Sequence, residues 1–117
     1  MAELLCHCWG DYILQTDWMA REKTKHWLPA LLHGFVYTLP FLLLTQSTLP
    51  LAVIAVTHAV IDHYRLTVYL TRLANWRWGK SQYGFDLRAP NWLALGLMIV
   101  VDNTVHLTIN HSVLSLL

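Results

Sequence analysis

Three stretches of predominantly apolar residues, 27–46, 49–73 and 92–116, constrain this chain more than any other feature. Each has the roughly 20 residues needed to cross the hydrocarbon core of a bilayer. An α-helix satisfies its own backbone hydrogen bonds in that setting, so the pattern predicts three clear transmembrane helices. A further segment, 3–20 ("ELLCHCWGDYILQTDWMA"), is mixed in polarity and is expected to form a short first helix. Composition agrees. Hydrophobic residues make up 56% of the 117 and charged residues 13%, where a soluble domain carries about 25% charge. Six Trp and five Tyr suit the membrane–water interface. Pro29 and Pro50 fit first helical turns, and Pro40 should kink the second helix. The expected fold is an all-α four-helix bundle, a single integral membrane domain over residues 1–117.

The links set an orientation. "REKTKH" holds Arg21, Lys23 and Lys25, whereas "TQST" is uncharged. The third link, "ANWRWGKSQYGFDLRAPN", holds Arg77, Lys80 and Arg88, with Arg72 just before it. Positive charge on alternate loops places those loops in the cytoplasm and both termini on the far, periplasmic side. Trp76, Trp78, Tyr83, Phe85 and Trp92 would lay the third link along the interface. A net charge of +1, with no basic face and no phosphate loop, excludes a nucleic-acid partner. Cys6 and Cys8 lie about 200° apart on a helix, which disfavours a mutual disulfide, and they read as small apolar residues of a buried face.

Within these oily segments one motif recurs. His7 and Asp11, His58 and Asp62, and Asp102 and His106 are all spaced i, i+4. That spacing is about 40° around a helix, so each pair shares one face, one turn apart. His33 stands alone in the second helix, with Tyr37 one turn on, read as an aromatic bundle contact. In the expected topology all seven His and Asp lie within ~10 Å of the membrane midplane, at 1.5 Å of rise per residue. An Asp at the centre of a membrane helix costs roughly 2.5–3.5 kcal/mol, and three cost about 8–10. About twenty Leu would be needed to offset that, so the carboxylates need neutralising partners.

Mixed imidazole and carboxylate donors fit Zn, Mn or Fe better than a soft ion. Four His and three Asp exceed the needs of one tetrahedral ion and suit a pair of divalent ions bridged by a carboxylate. The candidate metal ligands are therefore His7, Asp11, His33, His58, Asp62, Asp102 and His106. Gln15, Asn103 and Asn110 would orient ligands by hydrogen bonds. Arg65, three residues after Asp62 and on nearly the same helical face, is the candidate catalytic residue, its guanidinium fork suited to a phosphate. His26, His63 and His111 read as ordinary polar residues, and Asp17 as an interfacial charge.

The segments "HCWGDYILQTDWMAREK", "LLHGFVYTLP", "THAVIDHYR" and "DNTVH" carry a resemblance. They are similar to a family of small uncharacterised membrane proteins of bacteria and their phages. Its pattern is H-x3-D-[FY]-x2-Q-[TP]-D-W, a lone His, H-x3-D and D-Q-x2-H. The resemblance covers most of the chain. It implies a bacterial inner-membrane, multi-pass placement and selects His7, Asp11, Gln15, Asp17, His33, His58, Asp62, Asp102 and His106. Asn103 stands where the family often has Gln, and Tyr37 where it often has a second His. A looser similarity, in His/Asp motifs on membrane helices, is to membrane-bound metal-dependent hydrolases and implies hydrolysis; Arg65 would then hold a phospholipid or other phosphate-containing substrate. Two alternatives stand beside that reading. One is proton or ion transport, which four helices would support only as a homo-oligomer. The other is a non-catalytic phage or prophage factor acting on a host membrane protein, its metal holding the bundle together.

Overall fold

A computed structural model describes residues 1–117 and is all-helical, without β-strands. Six α-helices follow one another: α1 (Ala2–Cys8), α2 (Asp17–Glu22), α3 (Trp27–Thr38), α4 (Thr48–Tyr64), α5 (Leu66–Asn75) and α6 (Asn91–Leu116). The expected helical segments recur, three of them interrupted, and each interruption has a local cause. The first runs on from α1 into a π-helical turn, Trp9–Ile13, closed by Leu14 N–H on the Trp9 carbonyl at 2.9 Å. It stops where Thr16 caps α2, its hydroxyl accepting from Met19 N–H. A capping threonine starts a new helix with its own extended residue, so it ends the preceding one. The second segment loses its α-helical ladder at Thr38, because Pro40 has no N–H to donate. It continues as a 3₁₀ turn, Leu39–Leu43. The third breaks at Arg65, which adopts φ 51, ψ 47 in the left-handed region.

These breaks correct the expectation of three clear transmembrane helices, although the interruption at Pro40 is the expected kink. One helix, α6, is long and apolar enough to cross a membrane, and α4 with α5 make a second only when the broken pair counts as one.

The chain divides into two units. The first comprises residues 1–64 with 106–117, and the second residues 65–105. In the first unit, α3 and α4 pack closely, and each turns inward a face of small and apolar residues interrupted by His33, His58 and Asp62. Pro29, Ala30, His33, Gly34, Tyr37 and Thr38 are buried on α3, and Pro50, Ile54, His58, Ala59, Ile61 and Asp62 on α4. These positions repeat at three- and four-residue intervals, one face of each helix. Two glycines permit the close approach. A Cβ at Gly34 would stand 2.6 Å from the Ala55 carbonyl oxygen, and one at Gly10 would stand 2.5 Å from the Tyr37 ring. A small apolar cluster of Cys6, Tyr37, Phe41 and Ile54 lies within this unit.

Fully buried side chains are of both kinds: Tyr37, Phe41 and Ile54 beside His7, His33, His58, His106 and Asn110. Large apolar side chains such as Leu28 (65%), Phe35 (62%) and Leu43 (87%) are exposed.

The second unit contains α5, the link that follows it and α6 as far as Val105. Thr67 donates to Asp102 Oδ1 at 2.9 Å, and the Thr71 hydroxyl donates to the Tyr83 carbonyl. The link is organised around Asp86, which accepts from Arg77 Nη2 at 2.7 Å, Arg88 Nη2 at 2.9 Å and Arg88 N–H at 2.8 Å. Those bonds, Arg88's first, hold the Asp86 carboxyl below the usual carboxylate range. Trp76, Trp78 and Trp92 are exposed.

Candidate metal centre

Asp11, carried inward by the π-helical turn, meets His33 of α3 and His58 and Asp62 of α4 in the first unit. All four are buried, and one donor atom from each lies within 4.8 Å of the others. The convergence is tight. His33 Nε2 stands 2.9 Å from His58 Nε2, 3.1 Å from Asp11 Oδ1 and 3.4 Å from Asp62 Oδ2. His58 Nε2 stands 3.1 Å from Asp11 Oδ1 and 3.2 Å from Asp62 Oδ2. Five of the six separations among the donor atoms are thus 2.9–3.4 Å, and the sixth, Asp11 to Asp62, is within 4.8 Å. The donors surround a space of the size required by zinc, which bonds imidazole or carboxylate at about 2.0–2.2 Å. The buried Asp and His side chains could therefore hold a metal ion.

Hydrogen bonds alone leave the cluster unsatisfied. Each Nε2 carries at most one hydrogen, and a carboxylate oxygen carries none when ionised. With both Nε2 protonated, the His33–His58 contact at 2.9 Å sets N–H against N–H; with one of them bare, its lone pair faces two carboxylate oxygens. Burial makes unpaired polar groups costly. A divalent cation at the centre would satisfy all four donors together, and the two carboxylates would balance its charge.

Around the four stand further polar groups. His58 Nδ1 meets His106 Nδ1 at 3.1 Å, and His106 Nε2 meets Asp62 Oδ1 at 3.1 Å. His7 Nδ1 lies 2.7 Å from Tyr37 Oη and 3.5 Å from Asp11 Oδ2. Asn110 Nδ2 donates to Tyr37 Oη at 2.6 Å. The Tyr37 ring stacks on His58, centroids 3.7 Å apart. His33 Nδ1 is buried and makes no hydrogen bond.

Of the seven candidate ligands, four thus converge on one point, and His7 and His106 lie beside them. Asp102 belongs to the second unit, where it accepts from Thr67. Asn103 also lies in the second unit. Gln15 donates to the backbone carbonyl of Asp11 at 3.0 Å rather than to its carboxylate. Arg65 lies in the second unit, its guanidinium 5.6 Å above the Tyr83 ring. The helical face it was expected to share with Asp62 ends at Tyr64, because Arg65 leaves the helical conformation. Asp17 is exposed and pairs with Arg21 at 2.9 Å. His63 stacks on Trp27 and donates from Nδ1 to the Lys23 carbonyl, while exposed His111 faces Glu3. Cys6 and Cys8 are free thiols.

Two residues of this site escaped the sequence pattern. Lys23, counted there as a loop charge, places Nζ 2.6 Å from Asp62 Oδ2, the oxygen that faces both imidazoles. No spacing marks it, since it lies in the link before α3. Tyr37 was read as a packing aromatic, although its place one turn after His33 on the same face is the signal that it could reach the cluster.

The fold and the site together define an all-α protein built around a buried Asp₂His₂ cluster. The chain belongs to the family described as "Protein of unknown function (DUF3307)", whose model matches residues 1–115. No curated protein and no solved structure matches it.

Proposed function

We propose that this is an integral membrane protein that binds one divalent metal ion, zinc by size and donor type, through Asp11, His33, His58 and Asp62. The observation that carries the reading is the set of five contacts of 2.9–3.4 Å among four buried donor atoms. The ion ties the π-helical turn to α3 and α4 and so holds the first unit together. Membrane placement is supported by the exposed large apolar side chains and by the length of α6.

A hydrolytic ion needs an open coordination position for water. Four protein donors fill a tetrahedron and leave none, so the proposal is a binding and structural role rather than hydrolysis.

The test is elemental analysis of detergent-purified protein after zinc loading and desalting. About one zinc per chain is expected in the wild type, and none in His58→Ala or Asp62→Ala. Asp17→Asn, which alters only an exposed pair, should retain the ion. Wild-type protein that emerges without metal refutes the reading. The membrane placement is checked by alkaline extraction of cell membranes, and release into the soluble fraction refutes it.

A further inference from the structure

We infer that His106 is a positioning residue, which fixes the tautomer of His58 so that a bare Nε2 faces the ion. The inference rests on the proposed metal reading and adds to it the reason one ring nitrogen is presented rather than the other.

An ionised carboxylate only accepts hydrogen bonds, so His106 Nε2, 3.1 Å from Asp62 Oδ1, carries a hydrogen. A neutral imidazole has one N–H, which leaves His106 Nδ1 bare. That bare nitrogen lies 3.1 Å from His58 Nδ1. It accepts, so His58 Nδ1 carries the hydrogen. Neutral His58 is then bare at Nε2, the nitrogen that faces Asp11 and Asp62. The chain of bonds starts and ends on ligands: Asp62 Oδ1 orients His106, and His106 orients His58. Metal-binding histidines commonly donate their second N–H to a neighbouring acceptor, which sets both tautomer and ring orientation. Here the acceptor is itself an imidazole, held in the accepting form by a ligand carboxylate.

The surroundings of His106 fit a fixed ring. It is 2% exposed, lies near His7 and Tyr37 with centroids 6.1 and 6.3 Å away, and comes from the C-terminal part of α6. His33 provides a contrast. Its Nδ1 is buried without a hydrogen-bond partner, so no comparable device sets its tautomer.

The experiment uses full-length protein in detergent, ¹⁵N-labelled at histidine, with zinc as the probe. Ring-nitrogen NMR of metal-free wild type should show His58 protonated on Nδ1, and zinc addition should shift His58 Nε2. His106→Phe, which offers no acceptor, should lose the single tautomer and bind zinc about 10–100-fold more weakly, the usual cost of removing such a partner. His106→Gln, whose amide can both accept and donate, should restore part of the affinity and the Nδ1–H form. A zinc-loaded wild type in which His58 Nδ1 carries no hydrogen overturns the positioning role even though zinc binds. So does a folded His106→Phe protein with wild-type affinity. A wild type that takes up no zinc overturns the metal reading itself. The wild-type tautomer is readable without any variant, so a His106→Phe chain that fails to fold leaves the test intact.

Discussion

Lys23→Met separates the ammonium from the ion it would share a carboxylate with. Lys23 Nζ lies 2.6 Å from Asp62 Oδ2, and the two side chains are 19% and 4% exposed. Methionine keeps much of the side-chain volume and removes only the charge. The loop stays anchored, because His63 Nδ1 still donates to the residue 23 carbonyl at 2.8 Å. Breaking a buried pair costs about 3–5 kcal/mol, since the remaining charge is uncompensated. Lys23 keeps part of its hydration, which places the metal-free protein at the low end, about 3 kcal/mol. With a divalent ion on the same carboxylate, Asp62 stays neutralised, and the loss falls to that of one hydrogen bond, about 1 kcal/mol. By linkage the difference of about 2 kcal/mol returns as tighter binding, about 30-fold. The assay is zinc competition against a chromogenic chelator, paired with unfolding midpoints with and without zinc. The variant should be destabilised mainly without zinc and should bind zinc more tightly. Equal destabilisation in both states, or weaker binding, refutes the reasoning, because Lys23 would then support the ion site instead of competing with it.

Three further outcomes follow from the packing and the charges. In Gly34→Ala the new methyl meets the Ala55 carbonyl at 2.6 Å, a backbone atom that cannot rotate away, so α3 and α4 must separate at a cost of about 1–3 kcal/mol. Thermal unfolding measures this, with Gly96→Ala as the neutral comparison, since a Cβ there meets nothing within 4 Å. Tyr37→Phe removes the hydroxyl between His7 and Asn110 and should cost about 1–3 kcal/mol in chemical denaturation. Its metal content should be unchanged, because the ring that stacks on His58 remains. Asp86 should titrate below the ordinary carboxylate value of about 3.9, held down by Arg88 and Arg77. A depressed folded value means that its contribution is complete above the unfolded value and is lost only as pH falls through the folded one. Carboxyl ¹³C NMR checks this, and Arg88→Ala should raise the midpoint.

The four helical segments and their buried faces were legible because apolar and polar residues alternate at helical spacing, as His33 and Tyr37 do on α3 or His58 and Asp62 on α4. The i, i+4 rule identifies which side chains share a face. It holds only while the helix is unbroken. The break at Arg65 is a backbone conformation adopted by a residue with no special preference for it, so Arg65 was carried to the wrong face. The opposite happened at Asp11. A π-helical turn changes the angle per residue, and such turns frequently mark functional sites. Nothing in "HCWGDYI" distinguishes it from an α-helical run except Gly10, whose missing side chain admits Tyr37.

A shared depth near one midplane makes all seven His and Asp equivalent. What singles out four of them is the facing of donor atoms, and that depends on contacts far apart in sequence: Asp11 with His33, His33 with His58, and Lys23 with Asp62. Those contacts also explain why so polar a centre is tolerable among exposed leucines. An isolated Asp in an apolar helix would cost roughly 2.5–3.5 kcal/mol. Here two carboxylates face two imidazoles, and each has a second polar partner close by: His106 for Asp62, His7 for Asp11. Asp62 also meets the Lys23 ammonium. The buried carboxylates thus find their partners inside the first unit, and the exposed leucines take no part in that arrangement.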